Sequence, residues 1–241
     1  MSYLDFDRLA AFDAKAFRAT PPYPWANPAG LLTEEGFRTL RQALPGVSVF
    51  TQSFGVQRSH GQQPHDRLTL DYKNDLPIAR PWHDFIAELR GPEYTHFIQQ
   101  TFDRHLFRLN FHWHYTPNGC SVSPHCDARR KLGSHIFYFN TGEDWDASWG
   151  GETLILDDHG RLKRESAPKF EDFDEVMPSN AMGNRSLLFA RRQRSWHGVR
   201  EIHCPPGKYR KVFIVVINDW LASVVRRATG ALTGKRAEAY Y

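Results

Sequence analysis

One short run in this chain stands out for the chemistry its side chains could perform: His125-Cys126-Asp127. In an extended backbone, residues i and i+2 face the same way. His125 and Asp127 can therefore grip one ion, while Cys126 points to the other side and is not a ligand. A third ligand must come from elsewhere, and Ser195-Trp196-His197-Gly198-Val199 offers His197. Two imidazoles and one carboxylate on one side of a metal leave the other positions open, which suits non-haem Fe(II) binding O2 and a co-substrate. The same donors with a bound water also describe a catalytic zinc. After His197 comes Arg210, on a strand face shared with Val212 and Ile214. A guanidinium among apolar neighbours is costly unless it meets an anion. Its fork fits a carboxylate bidentately, and the distal carboxylate of 2-oxoglutarate would serve. Lys211, on the opposite face, is the rival for that role.

Strands are needed to hold these residues, and strand-like patterning begins after residue 104. Leu109, Phe111, Trp113 and Tyr115 alternate with Asn110, His112 and His114, the period of a strand. The aromatic set is the better inward face, which turns His112 and His114 toward solvent or helix packing. Further strand-like runs lie at 134–140, 152–156, 186–190 and 209–217, separated by turn-rich segments such as Thr116-Pro117-Asn118-Gly119. Earlier in the chain, Thr33 caps an amphipathic helix carrying Phe37, Leu40 and Leu44, and Pro45-Gly46 stops it. Residues 47–54 read as a strand, 55–66 as a polar loop, and 82–102 as two helices broken at Gly91-Pro92. Segment 158–184 reads as a lid or a surface loop. Helices first and short strands later predict a mostly β fold with α, a helix-buttressed β-sandwich or jelly roll.

The expected division is an irregular, proline-rich arm over 1–30, one domain over 31–220 and an amphipathic helical tail over 221–241. The tail carries Leu221, Val224, Val225, Ala228 and Leu232 on one stripe, with Arg226, Arg227, Lys235 and Arg236 around it, and is expected to dock on the body or on a second copy in a homodimer in preference to lying on a membrane surface. A 41% hydrophobic and 24% charged composition excludes a disordered chain. The longest apolar run, 212–217, is too short to cross a bilayer, and Asp5, Asp7 and Arg8 interrupt any secretory signal. Three cysteines with no C-x-x-C pair suit a reduced, cytoplasmic compartment. A net charge of +4 without a long basic tract argues against a nucleic-acid partner and for a small anionic molecule. Arg129, Arg130 and Lys131 follow the metal-ligand candidate Asp127 directly, which puts them at the pocket rim, and Arg191, Arg192 and Arg194 precede His197. Of these, Arg129, Arg130 and Arg192 are the candidate substrate contacts.

The ordered set Tyr115-Thr116-Pro117-Asn118-Gly119, His125-Cys126-Asp127, Tyr138-Phe139-Asn140, Trp149-Gly150-Gly151-Glu152, His197-Gly198-Val199 and Arg210 resembles the prolyl-4-hydroxylase-like branch of the Fe(II)/2-oxoglutarate dioxygenases, over about residues 105–220. The resemblance implies a double-stranded β-helix with His125, Asp127 and His197 on the iron. It also implies 2-oxoglutarate held by Arg210, with the hydroxyl of Tyr138 beside it and Tyr115 reaching it near the metal. Fe(II), 2-oxoglutarate as co-substrate and O2 follow, with ascorbate a candidate reductant. The Trp-Gly-Gly-Glu segment would be a structural turn. Many members carry a hydroxyl residue two or four positions after the arginine, where Val212 and Ile214 stand here. The implied reaction hydroxylates an unactivated C–H bond, or achieves another oxidation such as desaturation, releasing succinate and CO2. A peptidyl proline is the alternative substrate, and a zinc hydrolase or a non-catalytic binding module the alternative function.

Overall fold

A computed structural model describes residues 1–56, 58 and 62–221. The expected tail therefore lies outside the described residues, apart from the exposed Leu221. Within them the chain is mostly β, built on two antiparallel sheets that face one another, with helices against the larger one.

The chain opens with α1 (Phe6–Ala10) and α2 (Ala14–Ala19), each capped by an aspartate: Asp5 accepts from the Arg8 amide and Asp13 from that of Ala16. Strand β1 (Trp25–Ala26) follows. The first thirty residues are thus not the irregular arm their prolines suggest, because aspartate caps start two helices in the stretch before the prolines. Helix α3 (Glu34–Gln42) begins at Thr33, whose hydroxyl accepts from the Gly36 amide. The run expected as one strand at 47–54 divides into a 3-10 turn at Val47–Val49 and β2 (Thr51–Ser53), which pairs with β3 (Arg67–Asp71). Helices α4 (Arg80–Leu89) and α5 (Pro92–Phe102) break where Gly91-Pro92 requires, with the proline opening α5, where its missing N–H costs no hydrogen bond.

Next come β4 (Phe107–Thr116), β5 (Val122–Cys126), β6 (Lys131–Tyr138), β7 (Leu154–Asp157), β8 (Glu175–Pro178), β9 (Ser186–Ala190), β10 (Trp196–Val199) and β11 (Arg210–Asp219). The seven-stranded sheet runs β1-β9-β6-β11-β4-β3-β2 and the four-stranded sheet β5-β10-β7-β8. Segment 158–184 is neither a free lid nor a plain loop. It contributes β8 to the smaller sheet and seats Phe173 against Trp196.

Register decides what each face of the large sheet does. Phe213 lies opposite Trp113 on β4 and Phe137 on β6. These rings face α4 and α5, packing with Trp82 and Phe85 in the main core. One residue along, Arg210 lies opposite Thr116, Val212 opposite His114 and Tyr138, and Ile214 opposite His112 and Ile136. This second set faces the small sheet. Because side chains alternate strictly along a strand, one set serves the helix-covered core and the other a cavity between the sheets. His112 and His114 are therefore not turned to solvent or helices: both line that cavity. The parity was readable, but burial of both faces was not, since alternation of aromatic and polar residues ordinarily marks a half-solvated strand.

Candidate metal centre

His125 on β5 and His197 on β10 are direct cross-strand partners, with ring centroids 4.3 Å apart. Trp196 pairs with Cys126, and His197 pairs on its other side with Ile155 of β7. Gly198 makes this closeness possible, because a Cβ there would come within 2.7 Å of the Val122 carbonyl and 2.9 Å of the Phe170 ring. Asp127 follows β5 immediately. One nitrogen from each histidine and one oxygen of Asp127 lie within 4.8 Å of one another, and all three residues are buried. No other such group occurs among the described residues. Cys126 packs instead near Leu156 and Trp196, where burial pushes its thiol pKa up to about 12.

The donor atoms are prepared for a cation. Nδ1 of His125 meets the Ser123 carbonyl at 2.9 Å, and Nδ1 of His197 meets that of Ser195 at 3.0 Å. A carbonyl can only accept, so each Nδ1 carries the proton and each Nε2 keeps its lone pair, the second-contact arrangement metal-binding histidines use. Burial lowers both imidazole pKa values from the ordinary range, favouring the neutral, ligating form. Asp127 is held the other way. Its burial works to raise the pKa, but Lys131 first, then His197 and His125, keep it below the usual carboxylate range. Lys131 Nζ donates to Asp127 Oδ1 at 2.7 Å, and both side chains are under one-tenth exposed. The other oxygen, Oδ2, is buried with no hydrogen-bond partner. Two imidazoles with Nδ1 already bonded, beside a carboxylate with an orphaned oxygen, in a group whose donor atoms lie within 4.8 Å, fit a divalent cation.

Arg210 lies at 6% exposure and lines the same cavity. Its Nε donates to the Gly151 carbonyl and Nη2 donates to Thr153 Oγ1 at 3.0 Å. Gly151 sits at φ +100°, and a Cβ there would press on the arginine at 3.2 Å, so the Trp-Gly-Gly-Glu turn is the seat of this guanidinium. Tyr138 stands behind it, its ring 5.7 Å from the guanidinium carbon, its hydroxyl donating to Thr153 Oγ1 at 3.0 Å and bonded to Ser179 Oγ at 2.8 Å. Lys211 points away and pairs with Asp144 at 2.8 Å.

Three sequence expectations are corrected. Tyr115 does not reach the cavity. Its odd parity on β4 sends it to the helix side, where its ring lies 4.3 Å from Phe50 and its hydroxyl donates to the Pro45 carbonyl at 3.1 Å. Tyr115→Phe is accordingly expected to leave co-substrate KM within twofold while costing about 1 kcal/mol of stability, the worth of one buried hydrogen bond. Urea unfolding and initial-rate kinetics check both halves. Arg129 and Arg192 are exposed, and with Arg130 they are absent from the cavity wall. The chain turns outward directly after Asp127 and carries Arg129 and Arg130 off that wall, and Arg192 lies in the connection between β9 and β10. Lys131, expected at the rim, is instead buried against Asp127.

Two other wall residues, His65 and Arg67, carry almost no signal in the sequence. His65 sits with its ring 4.5 Å from that of His125, its Nε2 3.1 Å from Ser123 Oγ, and Arg67 donates to the His65 carbonyl at 3.0 Å. Gln62 bridges onward to the Ser166 carbonyl at 3.1 Å. Only the strand parity of β3, which places Arg67 beside the cavity face of β4, could have found the second of them.

Burial lowers the pKa of His65, His112, His114, His125, His135 and His197, in the case of His135 to about 3. Below the ordinary value near 6.5 the unfolded chain takes up protons that the folded chain refuses, so stability falls as pH falls. His135 alone contributes about 1.4 kcal/mol per pH unit between about 6.5 and 3. Urea unfolding at pH 7 and pH 5 should show a pronounced loss of stability, reduced in His135→Phe. A flat profile would contradict burial of these rings.

Residues 110–219 match the model of the 2OG-Fe(II) oxygenase superfamily. Among curated proteins none matches the sequence. The fold is similar to a Pseudomonas putida prolyl-4-hydroxylase (TM-score 0.61, 16% identity, covering 87% of this chain and 98% of that one). It is also similar to a Trichoplax adhaerens prolyl hydroxylase solved with a hypoxia-inducible-factor peptide fragment (0.59, 14%, 95% and 94%). A third similar structure is SnoK, a non-heme alpha ketoglutarate dependent carbocyclase from nogalamycin biosynthesis (0.59, 10%, 88% and 85%). At such identities the likeness speaks for the fold, a double-stranded β-helix.

Proposed function

The chain belongs, over residues 110–219, to the 2OG-Fe(II) oxygenase superfamily and is a 2-oxoglutarate-dependent non-haem iron dioxygenase; on that premise we propose that it hydroxylates an unactivated C–H bond of a small anionic molecule, with His125, Asp127 and His197 holding Fe(II) and Arg210 pairing with the distal carboxylate of 2-oxoglutarate. Fe(II) with 2-oxoglutarate and O2 supplies an oxidant for such bonds, the 2-oxo acid ending as succinate and CO2.

The observation that carries the reading is the orphaned Oδ2 of Asp127 beside two histidines whose Nδ1 atoms are already committed. What the chain's own residues do follows from their surroundings. Lys131 fixes the Asp127 carboxylate by one oxygen, leaving the other to ligate. Gly151 and Thr153 fix the Arg210 guanidinium, so little ordering entropy remains to be lost when a carboxylate arrives. Ile136, Phe189, Ile214 and Val216 make the apolar part of the wall and keep water from the reacting carbon. His65, His112 and His114 stay neutral at pH 7 and present uncharged imidazoles to the substrate. With Lys131 paired to Asp127 and Arg210 reserved for 2-oxoglutarate, Arg67 adds a further cation to the lining, which favours an anionic substrate over a neutral peptide. A carbocyclase of the same fold from nogalamycin biosynthesis supports a small-molecule substrate.

The test is anaerobic. Fe(II) and then 2-oxoglutarate are added to metal-free protein, and a visible charge-transfer band is expected. Metal-loaded, folded protein without the band would move zinc hydrolysis or a binding role ahead of this reading.

A further inference from the structure

A second cavity, a surface depression of about 630 Å³, is lined by Arg18, Arg104, Arg129, Lys131, Arg191 and Arg192, with Asp103 and Asp219 as its carboxylates. Lys131 is committed to Asp127. That leaves five guanidiniums facing two carboxylates, a local excess of three positive charges in a chain whose formal net charge is +4. An adjoining depression of about 410 Å³ adds Arg164 to Arg129 and Arg191, with Glu165 its single carboxylate. Glu165 lies 3.6 Å from Arg129 and 3.4 Å from Arg164, half-exposed, so it neutralises little.

Guanidiniums gathered in this way repel one another, and would spread apart if only solvent surrounded them. Here backbone carbonyls hold several of them. Arg18 Nη1 donates to the Gln100 carbonyl, Arg104 Nη1 to that of Asp103 at 2.9 Å, Arg192 Nη1 to that of Arg191 at 3.4 Å, and Arg164 Nη2 to that of Asp127 at 2.6 Å. Burial first, then Arg164 and Arg129, lowers the pKa of Arg191. The Nε atoms of both Arg164 and Arg191 are buried donors with no partner. Mutually repelling forks, several of them held by backbone carbonyls, match the charge of a phosphoryl group better than a solvated loop does.

We propose that this depression is a binding site for a multiply charged phosphoryl group, a phosphomonoester or pyrophosphate, brought by the substrate or by a separate ligand. The site adjoins the metal cavity, since Lys131 lines both. The arginine cluster is defined by charge and geometry alone and is independent of any metal at His125, Asp127 and His197.

Pyrophosphate titrated into the full chain by calorimetry is the test. Saturable binding with Kd near or below about 1 mM is expected, weakening about tenfold for each charge removed in Arg129→Gln, Arg191→Gln and Arg192→Gln. Arg80→Gln, at an exposed pair on α4, should bind as wild type does. An unchanged melting temperature in each variant separates lost recognition from lost fold. Repeating the titration with Fe(II) and 2-oxoglutarate loaded distinguishes the sources. An undisturbed charge-transfer band points to a substrate tail, and a shifted band to a separate ligand acting through Lys131 and Arg164; both support the site. Absence of saturation, or equal affinity in wild type and the triple variant, would overturn it. Absence of the band in wild type would instead strike the metal reading and leave the phosphate titration standing.

Discussion

Alanine in place of Asp127 or His197 is expected to abolish ferrous binding, the 2-oxoglutarate band and succinate release together. Each residue supplies one of the three donors, and no other such group occurs among the described residues. The Asp127 variant carries an extra cost. Lys131, buried at 8% exposure, would lose the carboxylate that neutralises it, and an uncompensated buried charge costs about 3–5 kcal/mol. Asp127→Ala with Lys131→Met removes both charges and should recover most of that stability while remaining devoid of iron. Measuring iron content, band intensity and urea stability on the three proteins separates metal loss from unfolding. Full turnover in any of them would defeat the assignment of the ligands.

Arg210→Ala should raise the 2-oxoglutarate requirement by about 30-fold to several thousand-fold, while iron affinity changes little. Removing one member of a buried charge pair costs about 2–5 kcal/mol, and each 1.4 kcal/mol is a factor of ten. Arg210 is tied to Gly151 and Thr153 and to none of the three ligands. Lys211→Ala is the internal control. Its partner is Asp144, outside the cavity, so its effect on 2-oxoglutarate should stay within a few-fold. Equal losses of iron and co-substrate affinity in Arg210→Ala would indicate collapse of the turn at Gly151 instead of a lost carboxylate contact.

Much of this was legible from the chain. The H-x-D pair, His197 and Arg210 could be chosen because their chemistry demands company, and the six ordered motifs limited which fold could bring them together. The Gly91-Pro92 break and the Thr33 cap are local signals and fall where the helices change. What failed was long-range. Nothing within β4 tells whether the side opposite Phe111 and Trp113 meets water or another sheet, so His112 and His114 were placed outside and Tyr115 inside the site. The burial of Lys131 could not be foreseen from a run of three cations, because only the pairing of β6 with β11 turns the third of them inward. The strap carrying His65 has no periodicity at all, and its place over His125 depends on a hydroxyl, Ser123, from a different strand.

The two imidazoles of the centre stand on strands of unequal support. β10 is flanked on both sides, by β5 and β7, whereas β5 is the outermost strand of the small sheet and has β10 as its one neighbour. Amide hydrogen exchange should therefore be layered within the site itself, fast along Val122–Cys126 and slow along Trp196–Val199. Fraying of that outer strand withdraws His125 and Asp127 together and leaves His197 in place, so the centre opens from one side like a hinge. The lifetime of a loaded site is then governed by the edge of the small sheet and not by the global unfolding of the chain.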